Sequence, residues 1–365
     1  MRLGDLADVD AAFAGVEVIG ITADSRAVRR GMIFAALRGE RADGAAFVPE
    51  ALAKGAAAIL CAEGASIEAP VVVADPDPRR RLALMAAAFS GPQPRTIVAV
   101  TGTAGKTSVA EFTRQIFAAS QRVAVSIGTL GIKGAVNVPG GLTTPDPVAL
   151  HERLAALARE GVEHVAIEAS SHGIDQRRLD GVVLAAAGFT NIGRDHLDYH
   201  GSMEAYLEAK LRLFHTLLPD GAPTVVDPDT PGGDRVLAVA QKPLTVGRDG
   251  DLIRLERITP TPTGTALHVA TASGRFEVHL PLIGAFQVDN ALVAAGLAIA
   301  GGVREEAAIG ALSALEGAPG RLELVGRANG ATVFVDYAHK PEAITAVLTA
   351  VRPGVKGRLM IVVGA

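Results

Sequence analysis

The stretch VTGTAGKTSVAEF, Val100 to Phe112, gathers residue types that handle phosphate. Gly102, Thr103, Ala104, Gly105, Lys106, Thr107 and Ser108 lie between an apolar run, TIVAV, and the amphipathic pattern SVAEFTRQIFAAS. Glycine lets backbone N–H groups approach an anion closely, and the start of a helix adds partial positive charge. The Lys106 ammonium can neutralise β- and γ-phosphate oxygens, and the Thr107 hydroxyl can reach Mg²⁺. The general phosphate loop is GxxxxGK followed by Ser or Thr, and it would put a glycine where this chain has Val100. A glycine-rich turn that binds nothing is the alternative, but strand, loop, Gly-Lys-Thr and helix together favour phosphate. A regulatory GTPase would need Asn-Lys-x-Asp, and no Asn in the chain is followed by Lys.

Two further clusters carry polar groups at the ends of apolar runs. In HVAIEASSHGIDQRRLDGV, His164 to Val182, Glu168 ends a strand-like run, the edge at which open α/β sheets place ligands. A carboxylate there can share the cation that Thr107 reaches, and Ser170, His172, Gln176 and Arg178 crowd the loop behind it. In FTNIGRDHLDYHGSMEAYLEAKLRLF, Phe189 to Phe214, the run Asp195-His196-Leu197-Asp198 precedes a helical pattern that carries Lys210. Histidine is an unusual ligand for Mg²⁺, which prefers oxygen, and helix patterning alone leaves an ordinary surface lysine open at Lys210.

The elements that must position these groups alternate. TIVAV, the 108–120 helix, RVAVSIG, the helix DPVALHERLAALARE and HVAIEAS follow one another as in a parallel sheet with crossover helices. Before them, GMIFAAL and AAAILCA read as strands and FVPEALAKG as a helix, with SGPQPR, Ser90 to Arg95, as a break. Between about Pro243 and Leu282 the pattern turns β-like, and VDNALVAAGLAIAGG then reads as a helix. After EGAPGR, ATVFVDYAH and RLMIVVGA read as strands flanking the helix KPEAITAVLTAV.

Composition sets the class. With 365 residues, two or three domains are expected, and 49% hydrophobic against 20% charged residues fits filled cores rather than disorder. The 35 basic and 39 acidic residues give a charge of -4, so nothing recommends nucleic acid as a partner. Cys61 is the only cysteine, which excludes an internal disulfide and any multi-cysteine metal site. MRLGDLADVDAAF carries three aspartates where a signal peptide needs an apolar core, and no apolar run is long enough to span a bilayer. A soluble, cytoplasmic monomer without membrane contact is expected.

Taken in order, the three clusters resemble the Mur ligase family, the ATP-dependent amide-forming enzymes of peptidoglycan precursor synthesis. Their phosphate loop, typically TGTNGKT followed by Thr or Ser, also lacks the first glycine. The family has Asn where this chain has Ala104, which removes a polar side chain beside the nucleotide. TADSRAVRRGMIFAALRG, TTPDP, EASSHGIDQRR, DHLDYHGSMEAYLEAKLRLF, GAFQVDNALVAAG and GRLELV leading to VFVDYAHKPEAI resemble the branch that forms UDP-N-acetylmuramoyl-tripeptide.

The resemblance implies an α/β, three-domain architecture: residues 1–91 for the uridine nucleotide, a central P-loop parallel-sheet ATPase domain at 92–318, and an incomplete third domain at 319–365. It assigns Ala23, Ser25, Glu40, Arg41 and Ala42 to the uridine nucleotide, and Thr143, Thr144, Ser170, Gln176 and Arg178 to the muramoyl-dipeptide. Residues 102–108 would hold ATP, with Asn290, Arg321, Asp336 and His339 closing over it. Thr107, Glu168, His196 and a carbamylated Lys210 would serve Mg²⁺; a carbamate is an anion, whereas an ammonium would repel the cation. Lys106, Lys210 and His196 are thus the expected catalytic residues. The implied reaction joins a diamino acid, meso-diaminopimelate or alternatively L-lysine, to UDP-MurNAc-L-Ala-D-Glu through an acyl phosphate. A folylpolyglutamate synthase-like ligase and a non-catalytic nucleotide-binding fragment are the other readings. RLMIVVGA ends where family members continue, so the chain is expected to be truncated, to bind ATP more weakly, to form little amide, and to have a mobile, protease-sensitive tail after Gly320.

Overall fold

The computed structural model describes residues 1–39, 42–261 and 263–364, so Glu40 and Arg41 lie outside the described residues. The chain forms two compact units, the first comprising Met1–Pro94, Thr144–Gly161 and His172–Val182, and the second Arg95–Thr143, Val162–Ser171 and Val183–Ala365.

In the first unit, β1 (Gly20–Thr22), β2 (Met32–Ala35), β3 (Ala58–Ala62) and β4 (Val72–Asp75) pair in that order, all parallel. Successive strand residues face opposite sides, so Ile33 and Leu60 join one core with Leu3, Leu82 and Met85, while Phe34 and Ile59 join another with Val48 and Ala51. A parallel sheet needs both faces covered, and this one has both. The helices Pro78–Ser90 and Pro147–Arg159 start alike. Asp77 and Asp146 each accept a hydrogen bond from a first-turn amide, and proline, which has no N–H to lose, follows directly.

The second unit is built on ten strands. They are β5 (Thr96–Thr101), β6 (Ala124–Gly128), β7 (Gly131–Gly134), β8 (His164–Glu168), β9 (Ala186–Phe189), β10 (Pro223–Val226), β11 (Lys242–Gly247), β12 (Ile253–Thr261), β13 (Gly264–Thr271) and β14 (Gly274–Leu280). Their order is β14-β13-β12-β11-β10-β9-β5-β8-β6-β7. The interior pairs are parallel, and the β12–β13, β13–β14 and β6–β7 pairs are antiparallel. The helices Lys106–Ala119 and Ala285–Ala300 bury Phe112, Ile116, Leu292 and Leu297 in the principal core.

Beyond this sheet, β15 (Glu323–Ala328) and β16 (Ala331–Val335) form a hairpin, and Pro341–Val351 is the expected helix. The strand expected over RLMIVVGA is not formed: residues 358–364 pair with no strand, and Val362 is 99% exposed. Apolar, β-branched composition favours an extended chain, but a strand also needs a neighbouring edge to take up its N–H and C=O groups. Neither β15 nor β16 supplies one.

Candidate active site

The site forms where the strand order reverses. β5 leads through the helix Lys106–Ala119 to β6, beyond β8, and β8 leads to β9 on the other side of β5. In open α/β sheets ligands gather at the carboxyl ends flanking such a point. The ladders pair Val100 with Glu168 and Thr101 with Phe189, so three chain segments leave the sheet at one level.

The phosphate loop is held from several sides. Gly105 has φ +89°, a left-handed conformation, and a Cβ on it would meet Asn290 Oδ1 at 2.3 Å. A Cβ on Gly102 would meet Thr190 Oγ1 at 1.9 Å. Asn191 grips the exposed Ala104 by its backbone, accepting from its N–H at 3.1 Å and donating to its C=O at 3.3 Å. Thr190 Oγ1 donates to the same carbonyl at 2.6 Å. The half-buried Lys106 folds back, its Nζ donating to the carbonyls of Gly102 and Thr103 at 2.9 Å each. Burial lowers its affinity for a proton, and the carboxylates of Glu168 and Asp195 act against that loss.

Glu168 is the buried acid of the site, 2% exposed. One carboxylate oxygen accepts from Thr129 N–H at 2.8 Å; the other accepts from Thr107 Oγ1 at 3.0 Å and from Thr129 Oγ1 at 3.3 Å. Burial raises its pKa, opposed by Lys106 and these donors. Gly128 makes room, because a Cβ there would stand 2.0 Å from Glu168 Oε1. Thr129 also meets Thr143, hydroxyl to hydroxyl, at 3.1 Å.

Lys210 is not a surface lysine. It is 1% exposed on the helix Met203–Arg212, its Nζ donating to Gly102 O at 2.8 Å and lying 4.2 Å over the Tyr206 ring. Burial holds its amine well below the usual lysine range, with Lys106 adding to the shift and Asp195 opposing it. His196 caps the short helix Leu197–His200 at φ +50°, with its side chain 47% exposed. Asp195 accepts from His196 N–H at 2.7 Å and pairs with Lys340. Although burial pushes the Asp195 carboxyl up, Lys340 and His196 together carry it below its ordinary range.

The later candidates divide. Arg321 reaches the loop, its Nη2 donating to Thr107 Oγ1 at 3.2 Å while the guanidinium lies 4.6 Å over Tyr337. Asn290 is buried against Gly105 and donates to Gln287 Oε1 at 3.2 Å. Asp336 is engaged locally, accepting from the N–H groups of Leu322 and Ala338, and the exposed His339 bonds to Tyr337 O. Ser170 leaves the end of β8 in this unit.

In the first unit, Arg178 donates to Thr144 O at 2.8 Å and to Gln176 Oε1 at 2.6 Å, fixing three of the expected dipeptide contacts. Ser25, beside Ala23, donates to Glu50 Oε2 at 3.4 Å, and Ala42 O accepts from Gly39 N–H at 2.8 Å. Gly128, Thr129, Thr190, Asn191, Tyr206 and Lys340 were not foreseen. Thr190, Asn191 and Tyr206 lie within the cluster Phe189 to Phe214 and Lys340 follows His339 in DYAHKP, whereas Gly128 and Thr129 lie in none of the polar clusters.

Residues 17–90 match the catalytic domain of the Mur ligase family, 100–298 the Mur ligase middle domain, and 320–365 the Mur ligase glutamate ligase domain. The UDP-N-acetylmuramoyl-L-alanyl-D-glutamate–2,6-diaminopimelate ligase of Rhizobium meliloti is 53% identical over 96% of this chain and 74% of its own length. The ligase of the same name from Caulobacter vibrioides is 51% identical over 100% of this chain and 77% of its own. A solved structure of a ligase of that name superposes with a TM-score of 0.85 at 31% identity, over 96% of this chain and 74% of that one. Folylpolyglutamate synthase of L. casei shares the fold alone, at 18% identity and a TM-score of 0.64 over 76% of each chain. From the phosphate loop to the glutamate ligase segment, the chain belongs to the Mur ligase family.

Proposed function

We propose that this chain acts in peptidoglycan precursor synthesis, joining 2,6-diaminopimelate to UDP-MurNAc-L-Ala-D-Glu at the expense of ATP. The observation that carries the proposal is the joining of Lys106, Thr107, Glu168 and Lys210 around one loop, in a chain 53% identical to a ligase of that name. The oxygen donors suit a hard cation: a threonine hydroxyl and a carboxylate 3.0 Å apart, at the start of a helix. Thr107 and Glu168, with His196 and the carbamate of Lys210, would hold Mg²⁺, which supplies charge neutralisation at the phosphates. Lys106 swings from the carbonyls of Gly102 and Thr103 to the phosphate oxygens. Its charge, with the first-turn amides of Lys106, Thr107 and Ser108, then meets the negative charge that grows as the D-Glu γ-carboxylate attacks the γ-phosphate. Arg321, Asn290, Asp336 and His339 are assigned to the nucleotide. Thr143, Thr144, Ser170, Gln176 and Arg178 are assigned to the muramoyl-dipeptide, and Ala23, Ser25 and the 40–42 stretch to the uridine nucleotide. We assign a three-part division at 1–91, 92–318 and 319–365, and a cytoplasmic monomer; among the described residues no helix is long and apolar enough to cross a membrane.

Calorimetric titration of the 365-residue chain with UDP-MurNAc-L-Ala-D-Glu, and separately with Mg·ADP, tests this function. Saturable one-to-one binding of each is expected. Binding of a tetrahydrofolate in place of the UDP-dipeptide would overturn it.

A further inference from the structure

Tyr206 lies between the phosphate loop and Lys210. It is 1% exposed on the helix Met203–Arg212. Its hydroxyl shares a 3.1 Å hydrogen bond with Thr103 Oγ1 in the phosphate loop. Its ring lies 4.2 Å under Lys210 Nζ, 6.2 Å from the His196 ring and 5.2 Å from the His200 ring, measured between centroids for the two histidines. Thr103 in turn accepts from Gly193 N–H at 2.9 Å, which fastens the loop to the segment after β9. One aromatic side chain therefore spans the nucleotide loop and the lysine assigned to the metal.

We propose that Tyr206 is a positioning residue with two separable tasks: its hydroxyl sets the phosphate loop through Thr103, and its ring sets the Lys210 amine that becomes the carbamate. The second task rests on the carbamate assigned above; the first does not. An ammonium has three N–H groups to satisfy, and here one carbonyl, Gly102 O, accepts at 2.8 Å while the ring covers another side. With these two contacts the amine is held in one direction. The ammonium first gives one proton to water; the lone pair this frees forms the N–C bond to CO₂, a C=O pair moves onto oxygen, and a second N–H proton leaves to water. The remaining N–H still donates to Gly102 O, so the carboxylate of the carbamate points away from the loop carbonyl toward the cation position.

The test uses the full chain and three variants, Tyr206→Phe, Thr103→Val and Tyr206→Met. ADP affinity is measured by calorimetry, carbamate by the ¹³C signal in ¹³C-bicarbonate at fixed pH, and folding by the melting temperature. Tyr206→Phe should weaken ADP by about fivefold, the loss of one hydrogen bond, and Thr103→Val by at least as much, because it also gives up the bond from Gly193 N–H; both should leave the carbamate signal unchanged. Adding Tyr206→Phe to Thr103→Val should weaken it no further than Thr103→Val alone, because the bond between Tyr206 and Thr103 is then already gone. Tyr206→Met should cut the carbamate signal several-fold. Unchanged ADP affinity in Tyr206→Phe, additive losses in the double variant, or a full carbamate signal in Tyr206→Met would overturn the proposal. If the wild-type protein gives no carbamate signal, the assignment at Lys210 fails instead. The ring's task is then read from the rate at which an acylating reagent modifies Lys210, expected to rise in Tyr206→Met and to stay level in Tyr206→Phe. Should Tyr206→Met not fold, the Tyr206→Phe and Thr103→Val affinities decide.

Discussion

Gly128→Ala is the most demanding test of the site geometry. Gly128 ends β6, and an added Cβ would stand 2.0 Å from Glu168 Oε1, 2.4 Å from Cδ and 2.5 Å from Cγ. All three distances are far inside van der Waals contact, so the carboxylate has to move. It is held by Thr129 N–H, Thr107 Oγ1 and Thr129 Oγ1, and a shift that clears the methyl group breaks the first and at least one of the others. Hydrogen bonds to a charged group contribute about 1.5 kcal/mol or more each, so the substitution should cost about 3 kcal/mol. For a unit of this size that lowers the melting temperature by roughly 6–12 °C. Scanning calorimetry checks the value, and the Mg·ADP titration should weaken in parallel because Thr107 loses its acceptor. The cause is isolated by repeating Gly128→Ala in a Glu168→Ala background, where the methyl group has space and the added cost should fall below about 1 kcal/mol. Equal costs in the two backgrounds would refute the collision with Glu168.

Lys106→Ala should abolish measurable ADP binding while leaving the melting temperature within about 2 °C, since its partners are two loop carbonyls rather than a core; retained affinity would remove Lys106 from the phosphate site. Wild-type protein in ¹³C-bicarbonate near neutral or alkaline pH should show a carbamate signal that Lys210→Ala lacks, and a bare amine would reject the modification. His151 is 1% exposed, and burial lowers its pKa against the opposing pull of Asp180. A histidine whose folded pKa lies below the unfolded value favours the folded state only while neutral, so stability is lost as pH falls through about 6.5. The wild-type melting temperature should therefore drop between pH 7 and pH 5.5, and His151→Gln should flatten that drop; an identical slope in the variant would show that His151 is not its source.

Much of the fold and of the chemistry was legible in the residues themselves. Runs such as TIVAV and HVAIE are buried strands because apolar, β-branched residues without polar alternation suit a sheet covered on both faces. Gly-Lys-Thr at the strand end is local chemistry: one glycine's left-handed φ, one ammonium and one hydroxyl within four residues of chain. Lys210 shows where local information stops. Its helix could have turned the lysine to solvent, and only packing beside Tyr206, Leu207 and Leu211 put the amine inside, where burial changes its chemistry. RLMIVVGA shows the converse, since strand-like composition cannot make a ladder where the structure brings no edge alongside. Gly128 is the plainest case. Nothing within its neighbourhood in the chain marks it, because the carboxylate it makes room for arrives from forty residues away on β8. Residue types set which groups could bind phosphate or a cation; the parallel pairing of β5, β6, β8 and β9 decided which of them meet. Such non-local contacts are specified by the sum of core packing and strand order, and no short stretch of sequence contains that sum.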